Sequence, residues 1–540
     1  MPDSVSKRPA VSLVTVLLAA LLLPLSLTGA SVAMPGVAAD FHSGLDANQW
    51  IVNGYDLTFA GFMLACGAFA DRFGRRRILL LGTLLFAGCS LLSAASGNIA
   101  LLDASRAAAG VGAAAMLTAG SATLAHVFEG AARARAFAVF GTTVGVGAAF
   151  GPFVAGALST AYGWRPVFLV PGLAGLVVLA LAAWLPESRD PQAHRVDWAG
   201  TVTFSGALSA LIAALIEGSQ LGWASPFNLA AYAAFAVLLT AFVAVERRQA
   251  RPMFDLGLFR QPQFVSLCVG VVALVLGFTP LLVYLPSYLT AVNGQSTLHA
   301  GVDLMMLTVP TVVLPLVAGY LLRWVPLRHL VTASVGLTAV GAAWLTVLHP
   351  GIGNWAACAP YAVVGAGIGI SLGVMDGAAV SSVDPARAGM AAGMFNTMRL
   401  AGEAVGIAVV GSLLVNFTRA DLGHRLDSFG GPYGHNPDAL ADVLNQGQLA
   451  APEATVPEGA RGAFHTVATS AYTSGLHHTL WVVAAFCAAA TVLVAVVGAK
   501  QRAGDAVVGA AGGGTADGGG VDGGGAVGAE ARPEPVAVPV

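Results

Sequence analysis

Long apolar stretches recur along the whole chain, and they leave little choice about what it can fold into. A helix that crosses a bilayer needs about 20 mostly apolar residues. Fourteen such stretches can be read, at about 12–35, 50–70, 78–96, 101–126, 136–159, 166–185, 199–217, 227–245, 264–289, 300–322, 329–348, 355–376, 389–415 and 477–498. Of the 540 residues 56% are hydrophobic and only 10% are charged, where soluble domains carry about 25% charged residues. These proportions exclude an ordinary water-soluble enzyme, a nucleic-acid binder and a disordered scaffold. They imply an all-α, multi-pass protein whose constant partner is the lipid bilayer. The net charge of -2 says nothing about other partners.

The first stretch follows Lys7 and Arg8, and Ser31-Val32-Ala33 imitates a signal-peptide cleavage site. Its length and the thirteen stretches behind it favour a retained helix. Positive charges tend to stay on the cytoplasmic side of a membrane. With the N-terminus inside, the cytoplasmic side receives Arg72, Arg75, Arg76, Arg77, Arg133, Arg135, Arg189, Arg195, Arg247, Arg248, Arg251, Arg260, Arg323, Arg328, Arg387, Lys500 and Arg502. The outer side receives Arg165 and, in one long polar segment at 416–476, Arg419, Arg425 and Arg461. The pattern predicts an even number of spans, fourteen, with both termini in the cytoplasm of a cell-membrane protein. Residues 416–476 are then an extracytoplasmic loop. Residues 499–540, with GGG runs at 512–514, 518–520 and 523–525, read as a disordered cytoplasmic tail. The five cysteines lie in apolar stretches without CxxC spacing and read as small core residues rather than disulfides or metal ligands.

Three local patterns go beyond topology. After the second stretch comes Gly67-Ala-Phe-Ala-Asp71-Arg72-Phe73-Gly74-Arg75-Arg76-Arg77. A topogenic stop accounts for the arginines but not for the spacing of Gly67, Asp71 and Gly74. The fourth stretch contains Asp103, Arg106, Gly110 and Gly112. An Arg inside a span costs about 2.5–3.5 kcal/mol on insertion scales, so it faces a wet cavity or a partner; Asp103, three residues back, is the local partner. The fifth stretch reads Gly147-Ala-Ala-Phe-Gly151-Pro152-Phe-Val-Ala-Gly156. Small residues four apart let helices approach closely, and the proline bends the helix.

These patterns resemble those of the major facilitator superfamily. The 67–77 segment is similar to its G-x-x-x-D-R-x-G-R-R loop signature, which there latches the cytoplasmic gate. Arg106, Gly110 and Gly112 match its second motif, with Ala109 where Gln is frequent. Residues 147–156 resemble the antiporter motif associated with exporters, with Ala155 where a second glycine is common. Leu25 to Pro35 resembles the L-D-x-T-x-x-N-V-A-L-P pattern of 14-span drug:proton antiporters of the EmrB/QacA type: Thr28, Val32, Ala33 and Pro35 agree, while Ser26 replaces the acid and Ser31 the Asn. Asp197-Trp198-Ala-Gly200, Gly222-Trp223, Glu246-Arg247-Arg248 and Pro252 to Arg260 look like that branch's linker helices. In the second half, Gly319 to Arg328 is at best a degenerate copy of the loop signature, with Arg323 for the Asp. The resemblance implies two six-helix bundles plus two linker helices: residues 1–187 as the N-terminal bundle, 188–260 as helices 7 and 8, 261–415 as helices 9–13 and 477–498 as helix 14.

A transporter needs an energy source. Neither lysine, Lys7 or Lys500, lies in a GxxxxGK[ST] sequence, so no P-loop for a nucleotide is present. What remains is ion coupling, with protons as the partner. The carrier must be an acid inside the membrane. Asp56 lies six residues into the second stretch, with Asn53 on its face and Arg106 expected at similar depth; a satisfied polar cluster is the plainer alternative. Glu403 lies near the centre of the thirteenth, with Asn396 and Arg399 on one face; a self-neutralising Arg399–Glu403 pair is the plainer reading there. Glu217, Asp303, Asp376, His477 and His478 fall near span ends and read as interfacial. No catalytic or metal-ligating set is expected, and no cofactor. The functional expectation is efflux of a small amphiphilic drug or antibiotic in exchange for protons by alternating access, conferring resistance. An uncoupled facilitator or importer on the same fold is the alternative that Ser26 keeps open.

Overall fold

The computed structural model describes residues 9–128, 130–188, 197–249, 256–352, 354–383, 388–423, 425–426, 429, 433 and 436–512. Some side chains inside helices, that of Asp71 among them, also lie outside the description. Among the described residues every regular element is helical. The described residues up to Val497 form one compact unit, and residues 498–512 are helical. The Gly-rich tail expected to be disordered lies, from residue 513, outside the described residues.

In chain order the first helices are α1 (Pro9–Phe41), α2 (Leu45–Phe73), α3 (Arg75–Ala94), α4 (Ile99–Val127), α5 (Gly130–Tyr162) and α6 (Arg165–Ala182). They pack as one bundle, α2 and α3 on α4, α1 on α5, and α6 on α3 and α1. The linker pair α7 (Trp198–Leu221) and α8 (Pro226–Arg248) pack on each other. The second bundle comprises α9 (Pro262–Ala291), α10 (Thr297–Thr308), α11 (Pro310–Leu321), α12 (Leu327–Trp344), α13 (Asn354–Ser381), α14 (Ala388–Leu422) and α17 (Arg461–Gly512). Cys487 and Thr473 tie α17 to α9 through Ala273 O at 3.2 Å and the Tyr288 hydroxyl at 3.2 Å. Two short helices, α15 (Pro437–Asn445) and α16 (Ala450–Ala454), lie between α14 and α17. The end of the unit that carries them is called the loop face below.

Thirteen described helices are long and apolar enough to cross a membrane, against fourteen expected. The helix outside that set is α2. Asn48, Gln49, Asn53 and Asp56 interrupt its apolar sequence, and all four are buried, so they face other helices rather than lipid. The helical part of the 416–476 segment is larger than its polarity suggests. Phe464, Ala468, Ala471 and Tyr472 recur at helical spacing and are buried, so α17 starts at Arg461 rather than near 477.

The seam between the bundles is formed by α1 against α9, α5 against α10 and α11, and α2 against α14. The linker helix α7 packs on both α2 and α14, and Ser412 Oγ on α14 donates to Leu215 O on α7. Proline makes part of this seam. A Pro in a helix has no N–H to give the carbonyl four residues back. Pro286 leaves α9 unbroken but frees Leu282 O, which accepts a 2.9 Å hydrogen bond from Ser31 Oγ on α1. Pro310, by contrast, begins a new helix, so the tenth span is two pieces, α10 and α11.

Small residues set how closely α5 approaches its neighbours. A Cβ on Gly147 would lie 2.5 Å from Leu21 O and 2.7 Å from Pro24 Cγ of α1. One on Gly156 would lie 2.7 Å from Thr297 O, across the seam. Gly147→Ala is therefore expected to lower stability by about 1–3 kcal/mol, the usual cost of overpacking. Gly141 has open space on the same helix, so Gly141→Ala should leave the melting temperature in lipid nanodiscs unchanged. Equal melting temperatures for the two variants would refute this account of the packing.

Candidate functional site

The fourth helix brings a guanidinium into a dry place. Arg106 is 1% exposed. Its Nε donates to Ile51 O of α2 at 3.0 Å and its Nη1 to Ser26 Oγ of α1 at 2.9 Å. The guanidinium carbon lies 4.3 Å above the Tyr55 ring and 5.7 Å from that of Phe168, distances at which a cation is drawn to a ring face. The close approach of α4 to α2 depends on Gly110, where a side chain would collide with Thr58 and Tyr55 O. Gly112 plays the same part toward α3, with Phe86 N 2.6 Å from a would-be Cβ. Gly67 has open space around it.

Next to the arginine lies an acid. Asp56 is 1% exposed, and neither of its oxygens finds a hydrogen-bond partner among the described residues. The same holds for both side-chain polar atoms of Asn53, three residues back. Asp56 lies within electrostatic range of both Arg106 and Glu403; Arg106 lies within range of Asp56 and Asp103. The two acids singled out from the sequence thus lie within electrostatic range of each other, one on each side of the seam. Tyr55, Leu57 and Phe59 of α2 join one apolar cluster with Leu400, Ala401 and Ala404 of α14, which fixes that juxtaposition. Glu403 Oε1 accepts a 2.9 Å hydrogen bond from Thr279 of α9, and Arg399 lies within electrostatic range of it. Asn396, one turn before Arg399, is partly buried on the same helix.

Three residues here carry weight that the sequence did not announce. Ser26, noted only as a missing acid, receives the guanidinium in place of a carboxylate. Tyr55 forms the floor beneath Arg106. Thr279 anchors Glu403; its one advertisement was a hydroxyl beside Pro280 in an otherwise apolar run.

The 67–77 segment is placed apart from this cluster. Gly74, at φ +112°, ends α2 and begins α3 in a conformation that favours glycine. Glu187, a residue outside the motif, caps the new helix. Its carboxylate accepts from Arg76 N at 3.2 Å and stands 3.6 Å from Arg77 Nε. Arg76 Nη2 donates to Ala183 O at 2.5 Å, and Arg75 N to Ser188 O at 3.0 Å. Arg72 turns over the Phe73 ring. The loop is thereby fastened to the end of α6. The antiporter-motif residues Gly147, Gly151, Pro152 and Gly156 line α5 where it meets α1 and α10, Gly151 closing on Thr28 and Pro152 O on Gly301. A cavity of about 510 Å³ opens elsewhere, at the end of α1 beside Ser159, Trp164, Arg165 and Thr297.

With its buried charges where two helical bundles meet, the chain is a membrane transporter, as its family and relatives show. The chain belongs to the Major Facilitator Superfamily, whose family model matches residues 16–407. It is 31% identical over 501 residues to the multidrug efflux pump LfrA of Mycolicibacterium smegmatis, covering 91% of this chain and 96% of the relative. It is 30% identical over 399 residues to the multidrug resistance protein Stp of Mycobacterium tuberculosis, 74% of each chain. It is 32% identical over 447 residues to the puromycin resistance protein pur8 of Streptomyces alboniger, 81% of this chain and 87% of the relative. In fold it is similar to a bacterial homologue of the human lysosomal transporter Spinster in an inward-facing, occupied conformation. There the TM-score is 0.65 and the identity 16%, over 92% of this chain and 98% of that one.

Proposed function

We propose that this chain exports amphiphilic drugs or antibiotics from the cytoplasm in exchange for protons, by alternating access. The single observation that carries the proton part is that Asp56 and Glu403, acids of different bundles, lie within electrostatic range of each other where α2 packs on α14 beside Arg106. The efflux part is supported by the printed functions of the relatives. In this reading α2 is the fourteenth span, both termini are cytoplasmic, the loop face is extracytoplasmic and the 67–77 loop latches the cytoplasmic gate. The substrate approaches from inside while either acid is deprotonated. Protonation from outside resets the pair.

Substrate-triggered proton flux in inside-out vesicles is the test. A pH gradient is imposed, and cationic, neutral and anionic amphiphiles are added in turn. Export by antiport collapses the gradient with at least one compound and leaves it intact in vesicles without the protein. Labelled compounds that equilibrate with no proton movement would establish instead the uncoupled facilitator, the reading that Ser26 in place of the span-1 acid favours.

A further inference from the structure

The segment between α14 and α17 is built across the seam. Its helix α15 begins at Asn436, whose Oδ1 accepts from Ala439 N at 3.0 Å, and buries Leu440, Ala441, Leu444 and Asn445. Asp438 pairs with Arg419 at the end of α14, Nε to Oδ1 2.6 Å. The helix ends at Asn445; two residues on, Gly447 takes φ +79° and sits between α1 and α9. Thr290 of α9 donates to Gly447 O at 3.4 Å. A Cβ on Gly447 would lie 2.5 Å from Thr290 Oγ1 and 3.2 Å from both Pro35 Cγ of α1 and Ser287 Cα of α9, and the positive φ also favours glycine there. The next side chain, Gln448, donates through Nε2 to Pro35 O at 3.3 Å. One turn along α1 from Pro35 is the Ser31–Leu282 hydrogen bond that joins α1 to α9.

We infer that residues 437–449 are the outer gate latch: a strap that belongs to the second bundle and clasps the first through Gln448 and Pro35. The attachment is asymmetric. Both ends of the segment run into helices of the second bundle, α14 and α17, and Arg419 and Thr290 hold it there. Opening of the loop face has to part α1 from α9, so the Gln448–Pro35 bond breaks while the Arg419–Asp438 and Thr290–Gly447 contacts travel with the strap. This inference rests on the alternating-access reading above, but not on its substrate or on protons.

Two measurements in a background with the five cysteines replaced test it. In the first, Ser31→Cys is probed with a membrane-impermeant maleimide applied from the loop face. Losing one hydrogen bond of ordinary strength should raise its labelling roughly 2- to 10-fold when Gln448→Ala is added, while a Ser12→Cys reporter near the opposite end of α1 does not change. Unaltered Ser31→Cys labelling overturns the latch, whatever the transported compound proves to be. In the second, an oxidant links Pro35→Cys to Gln448→Cys, or Arg419→Cys to Asp438→Cys. The first link should stop transport until a reductant is added, and the second should leave it running. Full transport by protein shown by mass spectrometry to be linked between residues 35 and 448 also overturns the latch. A chain in which neither parent moves any compound sinks the efflux reading instead, and the labelling result still stands by itself.

Discussion

Glu403→Gln is expected to abolish uphill export while leaving the protein folded and able to bind substrate. Glutamine keeps the shape of the side chain and keeps an oxygen for the Thr279 hydroxyl, which lies 2.9 Å from Glu403 Oε1. What it loses is the ability to exchange a proton. One charge moved through 100 mV carries about 2.3 kcal/mol, which sustains a concentration ratio of roughly 50-fold. Uncoupled protein can only equalise concentrations, so the accumulation ratio in energised inside-out vesicles should fall from that range toward 1. Asp56→Asn should give the same outcome if the two acids share one task. A normal accumulation ratio in both variants would remove these carboxylates from the coupling step. Thermal unfolding of Glu403→Gln close to that of the parent keeps a folding defect from imitating the result.

The second large effect is expected at Arg106. Removing one member of a buried charged group leaves the other without compensation, at a cost of about 3–5 kcal/mol. Arg106→Met should therefore lower the melting temperature sharply, because Asp56 is 1% exposed and no hydrogen bond supports its carboxylate among the described residues. Arg106→Lys should rescue little. The guanidinium reaches Ile51 O and Ser26 Oγ from two nitrogens with its carbon 4.3 Å from the centre of the Tyr55 ring, and an ammonium is a point charge that cannot do all three. Adding Asp56→Asn to Arg106→Met should recover part of the loss, a coupling that a double-mutant cycle measures directly. Strictly additive losses would mean that the two side chains do not sense each other.

Hydropathy made most of the architecture readable. Each long apolar stretch is helical over most of its length, the tenth as two pieces, since lipid tolerates few other arrangements of the backbone. The same rule made the buried charges conspicuous: Arg106, Asp56 and Glu403 stand out because an ionisable residue in such a stretch needs a reason. What sits opposite each of them was not readable. Thr279 and Glu403 are 124 residues apart, and Ser26 and Arg106 are 80 apart; only the packing of helices decides such pairs. The role of Glu187 was hidden for a related reason. It lies outside the loop signature, and its value comes from meeting the first turn of α3. Proline showed the limit of local rules. Pro286 and Pro310 look alike in the sequence, yet α9 continues through the first, with Leu282 O bonded to Ser31, and the helix restarts at the second.

The replacement of the span-1 acid by Ser26 changes where any proton-dependent force is applied. A carboxylate on α1 facing Arg106 would confine its attraction to a single rigid body, and charging or discharging it would strain only that body. Here the hydroxyl of Ser26 is neutral, and the acids are divided between two bodies. Two negative charges repel, and their repulsion falls as the distance between them grows. If these two acids exchange protons, as proposed above, the proton count at Asp56 and Glu403 and the spacing between α2 and α14 are coupled. On the proposed proton-exchange reading, no relay of side-chain movements is needed to rock the bundles, because the repulsion acts directly between α2 of one and α14 of the other.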